Sequence, residues 1–156
     1  MIHYFRNIKQ GIKNLFIWFP VVWDDRWWDH YYLFIILRFK LGLIEKNFRK
    51  YGHHIDAKKD ADVMKYCCGI LDRLIADEYY EEACKEHDLK WGRMDMKVEW
   101  ANGKVDFIHP NVKTEEDKFI ERKEFLECVK VKDQLEKDDV TELFKIMSRN
   151  VRKWWD

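Results

Sequence analysis

Turn-forming residues are scarce in this chain of 156 residues, which has only six glycines and two prolines. That scarcity excludes an all-β architecture, because each short strand of a sandwich or barrel needs its own turn chemistry. Serine occurs once, as Ser148, and no G-x-S-x-G surrounds it, so a serine-hydrolase elbow is missing. The glycine patterns that cradle phosphates are missing too. Neither sign of charge dominates: 29 Lys and Arg stand against 29 Asp and Glu. This balance excludes the broad basic field of a protein that holds long nucleic acid. The four cysteines, Cys67, Cys68, Cys84 and Cys128, include no C-x-x-C pair. Adjacent Cys67 and Cys68 in a helical pattern would make a strained bridge, so reduced, buried thiols are expected. No metal site and no cofactor follow from the cysteine and histidine spacings, and no catalytic residue is assigned. The longest uncharged run, Asn14 to Trp23, contains Pro20 and falls short of the roughly 18–20 apolar residues of a membrane span. Residues Met1 to Arg6 do not read as a secretory leader, and a cytosolic protein is expected.

What the chain does have is aromatic surface: eight Trp, seven Tyr and ten Phe. With 47% hydrophobic residues beside 37% charged ones, the composition is that of a globular, mainly helical protein. Tyr4, Phe5, Ile8, Ile12, Leu15, Phe16 and Phe19 share one helical face, with Pro20 as the expected stop and the protein core as the expected cover. Arg6, Lys9 and Lys13 beside that face also admit a membrane-surface role, the lesser alternative. A second helix is expected over about 26–51, capped by Asp24 or Asp25 and ended by Gly52. Its back half carries a single stripe, whereas residues 27–41 are apolar almost all round.

A third helix is expected over about 57–76, with Ala61, Met64, Cys68, Leu71 and Ile75 on one face, a break near Asp77, and a further helix to Lys90. From residue 93 to 111 the apolar period changes to two around Asn102-Gly103, which predicts a β-hairpin. Thr114-Glu115-Glu116-Asp117 resembles a capping box and opens a long final helix, about 115–153. The expected fold is therefore mainly α: one domain, 1–156, a bundle of four to five helices with a small hairpin insertion and a long C-terminal helix.

The densest cluster of chemistry-bearing residues runs from Trp23 to Tyr32. As a ligand site it would offer Trp23, Trp27 and Tyr31 for stacking on a base, Arg26 for a phosphate, and Asp29 and His30 as polar contacts. Its plainer reading is a helix start, with Asp caps and aromatics in the core. Trp28, Tyr32, Ile35 and Phe39 form a second apolar side of the same helix, which needs either the first helix or another subunit against it. Asp25 and Asp29 with His53 and His54 make a weaker metal-dependent alternative. His87, between two acids at a helix end, is expected on the surface.

The run Gly11 to Leu15 through Phe19-Pro20, then Trp23-Asp24-Asp25-Arg26 and Trp28 to Leu33, resembles a family of small bacteriophage accessory proteins. The similarity continues through Leu71 to Ile75, Tyr79-Tyr80, His87-Asp88, Lys90-Trp91-Gly92, Thr114 to Asp117 and Trp154-Trp155-Asp156. The resemblance implies a phage source and a host-cytosol setting, without a mechanism. Combined with the missing catalytic patterns, it leads to the expectation of a non-enzymatic homo-oligomer that sequesters a small nucleotide-type signal. The alternatives are an inhibitor that docks its aromatic face on a host protein, and a metal-dependent nucleotide hydrolase.

Overall fold

A computed structural model describes residues 2–26, 28–29, 31–52, 54–99 and 104–154, without the side chains at 2, 3, 97–99 and 104–106. It is mainly helical. Among the described residues there are five α-helices, α1 (Ile2–Val22), α2 (Tyr31–Tyr51), α3 (Ala57–Ala76), α4 (Tyr79–Trp91) and α5 (Glu115–Asn150), with strands β1 (Asp95–Glu99) and β2 (Lys104–Ile108) between α4 and α5. None of these helices is long and apolar enough to cross a membrane. The chain divides into two compact units, Met1–Ile75 with Leu143–Asp156, and Ala76–Glu142.

In the first unit the core belongs to α3. Met64, Ile70, Leu71 and Leu74 recur at helical spacing and are fully buried, as is Leu143 near the end of α5. Burial of each such side chain contributes about 1.5–3 kcal/mol. Leu41 and Phe48 of α2 and Trp154 are buried in the same unit. Polar bonds fix α2 against α3: Arg38 donates twice to Asp72, at 2.8 and 3.1 Å, and Arg49 bridges Glu45 and Asp62. The α2–α3 connection is tight because the Gly52 amide closes on the Phe48 carbonyl at 2.9 Å, and a Cβ on Gly52 would lie 2.3 Å from that of Ala57.

Three expectations are corrected here. Pro20 does not stop α1, which continues to Val22, and the Trp23 amide still reaches the Phe19 carbonyl at 3.0 Å. A proline so near a helix end forfeits one bond, and the remaining turn closes around it. Second, α2 starts at Tyr31 rather than Arg26, because the cap is Asp29: its carboxylate accepts from the Tyr31 amide at 3.0 Å and its carbonyl from the Tyr32 amide at 3.2 Å. Asp24 and Asp25 are exposed before it. Third, the α1 stripe is not in the core. Tyr4, Leu15 and Phe16 are 70%, 69% and 78% exposed, and it is Ile17, Trp18 and Val21 on another side of α1 that are half-buried. Trp18 meets Phe39 of α2 edge-on at 5.0 Å between centroids.

The second unit joins α4, the hairpin and residues 115–142 of α5. Asp77, the one described non-glycine residue at positive φ (50°), makes the break before α4. The strands are antiparallel, with Asp95 opposite Ile108 and Glu99 opposite Lys104; the turn at 100–103 lies outside the described residues. At the start of α5 the capping box closes although its third position is Asp: the Thr114 hydroxyl accepts from the Asp117 amide, and the Asp117 carboxylate accepts from the Thr114 amide, both at 3.0 Å. Tyr79 donates to Asp139 at 2.7 Å, and Trp91 to Glu124 at 2.6 Å, so both ends of α4 are held to α5.

Candidate metal centre

Among the described residues, one group of histidine, cysteine and carboxylate side chains is placed to share an ion: His87 of α4, His109 just after β2, and Glu121 of α5. All three belong to the second unit. The end of α4 shows how they come together. Gly92 leaves the helix at φ 81°, and a Cβ there would lie 2.5 Å from the Pro110 ring. The missing side chain and the positive φ let residues 109–111 close over the last turn, where helix carbonyls need partners. The Asn111 amide donates to the Trp91 carbonyl at 3.0 Å, the Asn111 side chain to the Lys90 carbonyl at 3.1 Å, and His109 Nδ1 to the Gly92 carbonyl at 2.7 Å.

That last bond sets the tautomer of His109. A ring that donates from Nδ1 presents an unprotonated Nε2 in its neutral form. Nε2 of His109 lies 3.2 Å from Glu121 Oε1, and Nε2 of His87 lies 3.5 Å from the same oxygen. His87 is 5% exposed and His109 7%, and His87 Nε2 makes no hydrogen bond. Two ring nitrogens therefore converge on one carboxylate oxygen away from water. A lone pair on either nitrogen repels the carboxylate unless a proton or a metal ion sits between them.

A tetrahedral ion with bonds of about 2.1 Å separates its ligand atoms by roughly 3.4 Å. The two ring-to-carboxylate distances of 3.2 and 3.5 Å match this spacing. The surrounding groups fit as well. His109 Nδ1 is held by a carbonyl, and His87 Nδ1 faces Asp88 Oδ1 at 3.5 Å, the outer partners that orient metal-binding imidazoles. Phe125 covers both rings, at 5.6 and 6.0 Å between centroids. Three protein ligands of type N, N and O suit a first-row divalent ion and leave coordination positions for water or a ligand oxygen.

The surroundings limit the chemistry further. His109, Glu121 and Phe125 also line a cavity of about 790 Å³, which Phe107, Lys113, Lys118 and Arg122 border with Asp95 and Glu115. One turn beyond Glu121, Glu124 is held below the usual carboxylate range by its bonds from Lys90 and Trp91, so it is spent on pairing α5 with α4. Burial pushes the Cys84 thiol up to about 11 and the Tyr80 hydroxyl up to about 12. Neither is a ready nucleophile or general base at neutral pH.

The residues expected as a site lie elsewhere. Trp23 is 67% exposed and leans on Phe19 at 4.8 Å; Arg26 is exposed and donates to the Asp25 carbonyl at 3.1 Å. Asp29 serves as the cap of α2, Tyr31 is half-buried, and Trp27 and His30 lie outside the described residues. Of the expected interface, Trp28 is exposed, Tyr32, Ile35 and Phe39 are half-buried, and Phe39 meets α1. Asp25, Asp29 and His54 do not gather around a common point: His54 Nε2 pairs with Asp60 at 3.0 Å, and His53 lies outside the described residues.

His87 is a correction too, since it is buried rather than on the surface. A usable signal was present: Cys84, His87 and Trp91 stand at spacings of three and four, which places His87 on the apolar face of α4. Glu121 and Phe125 stand one turn apart on α5 in the same way. No protein family, curated protein or solved structure matches the chain. The reading of this centre rests on its own geometry.

Proposed function

We propose that the protein acts by binding, with a divalent first-row metal ion on His87, His109 and Glu121 as the anchor for a small anionic ligand of nucleotide type in the adjoining cavity. The observation that carries this reading is the convergence of two buried imidazole nitrogens on Glu121 Oε1, one of them without a hydrogen bond. The cavity, at about 790 Å³, is of ligand size, and Phe107 and Phe125 give it ring faces. Lys113, Lys118 and Arg122 face Asp95, Glu115 and Glu121 there, a balanced set without the ion. A divalent ion leaves two positive charges in excess, so anion affinity depends on the metal.

The ligand class expected from the sequence is thus kept, and its contacts move from the Trp23–Tyr31 segment to this cavity. On the phage resemblance, the role is that of a counter-defence sponge in the host cytosol. Self-association through Trp28, Tyr32 and Ile35 belongs to the same proposal, and light scattering reads it.

Calorimetry on chelator-treated protein with Zn²⁺ and Mn²⁺ tests the metal, with Glu121→Gln as the control that loses binding. Equilibrium dialysis with ADP and a cyclic dinucleotide, with and without metal, then tests the ligand. Recovery of unchanged nucleotide after denaturation supports sequestration. Recovery of cleaved nucleotide supports the second reading, metal-dependent hydrolysis, which the open coordination positions favour. Absence of metal uptake overturns both.

A further inference from the structure

We propose that α1 is a surface-seeking helix that lies on an anionic lipid bilayer, parallel to its plane. The observation is independent of the metal centre. At 100° per residue, Tyr4, Ile8, Ile12, Leu15, Phe16 and Phe19 fall within an arc of roughly 120°. Every one of these six side chains is exposed. The helix meets α2 through a different side, where Trp18 packs on Phe39. The exposed stripe is therefore additional to the surface that α1 uses within its own unit.

Charge identifies the occupant. Residues 1–23 contain no Asp or Glu, while Arg6, Lys9 and Lys13 follow one another along one flank of the stripe. Bases at the boundary of an apolar face extend their stems along it and put their charges at headgroup height. Aromatic residues stand at both ends, Tyr4 and Phe5 at one and Phe19 and Trp23 at the other, the residue types that prefer the interface. A second copy of the chain is a poorer occupant. An isologous contact sets the same patch against itself, and α1 offers no carboxylate to answer its own bases. A row of lipid phosphates does. The helix is too polar to span, so it rests at the surface with its stripe in the outer acyl region.

Flotation with vesicles tests this, using phosphatidylcholine alone and phosphatidylcholine mixed with phosphatidylglycerol. The intact protein is expected to float with the mixed vesicles, with a blue shift of tryptophan emission, and to bind the neutral ones at least several-fold less. Lys9→Gln and Lys13→Gln should each weaken mixed-vesicle binding about five-fold. Leu15→Asp with Phe16→Asp should abolish it while helix content and metal uptake stay unchanged, because both side chains are already in water. Failure of the intact protein to float with anionic vesicles overturns the proposal. So does a dimer that Leu15→Asp dissociates in the absence of lipid, which would give the stripe to a second copy.

Discussion

Replacement of His87 by leucine should make the metal-free protein more stable and the metal-loaded protein relatively less so. The reasoning starts from Nε2, which is buried and makes no hydrogen bond. A buried polar atom left unsatisfied costs about 1–3 kcal/mol, and an apolar side chain of similar size removes that cost. Glu121 keeps His109 at 3.2 Å in the variant, and Asp88, partly exposed, recovers water. For a chain of this length, 1 kcal/mol moves the melting temperature by about 2–4 °C, so His87→Leu should melt roughly 2–12 °C above wild type in chelator. Zn²⁺ at a hundred times its dissociation constant adds about 2.7 kcal/mol, or roughly 5–11 °C, to the wild type. The variant, reduced to two ligands, should gain little. Differential scanning calorimetry of both proteins, with chelator and with Zn²⁺, reads the four values.

The alternative account of the same geometry is an imidazolium at His87 shared between Glu121 and Asp88. Its two distances, 3.5 Å each, are long for charge-assisted bonds, which cluster at about 2.7–2.9 Å. Under that account His87→Leu would destabilise the chelated protein, and such a result would refute the metal reading. An equal rise with Zn²⁺ in both proteins would refute it as well, by placing the ion elsewhere.

Three further outcomes follow from the packing. Gly92→Ala should lower stability and weaken Zn²⁺ binding about 10–100-fold, because its Cβ has no room beside Pro110 and the carbonyl that orients His109 must shift; calorimetric titration checks this. Thr114→Ala should cost the start of α5 about 1 kcal/mol. The bonds from Thr114 also hold the Asp117 carboxyl below its ordinary range, so its contribution is complete above the unfolded-state value and lost as pH falls through the lowered one. An NMR titration should show that carboxyl returning toward the ordinary range in the variant. Iodoacetamide should label Cys128 first in the native protein, with Cys67 and Cys84 protected until unfolding, since both are fully buried and burial pushes the Cys84 thiol up to about 11. Peptide mass spectrometry of a time course would show the order, and early labelling of Cys84 would contradict it.

Much of this fold is readable from local chemistry. Ala61, Met64, Leu71 and their neighbours recur at helical spacing, so α3 emerges with the bounds 57–76 expected for it. Thr114 and Asp117 mark the start of α5 because both halves of the reciprocal bond are local. The errors arose where a distant choice decided. Asp24, Asp25 and Asp29 are alike as cap-forming residue types, and the role falls to Asp29, whose carboxylate accepts from the Tyr31 amide. The stripe of α1 has the pattern of a core face, and the pattern cannot say whether another element will cover it. The candidate metal centre is the extreme case: His87, His109 and Glu121 come from a helix, a strand end and another helix, with no motif to join them. What brings them together is Gly92, whose missing side chain admits Pro110.

That arrangement has a mechanical consequence. An ion coordinated at this point would cross-link three segments of chain across the hairpin, as a disulfide staple would. The ion would then stiffen the second unit as a whole as well as filling its site.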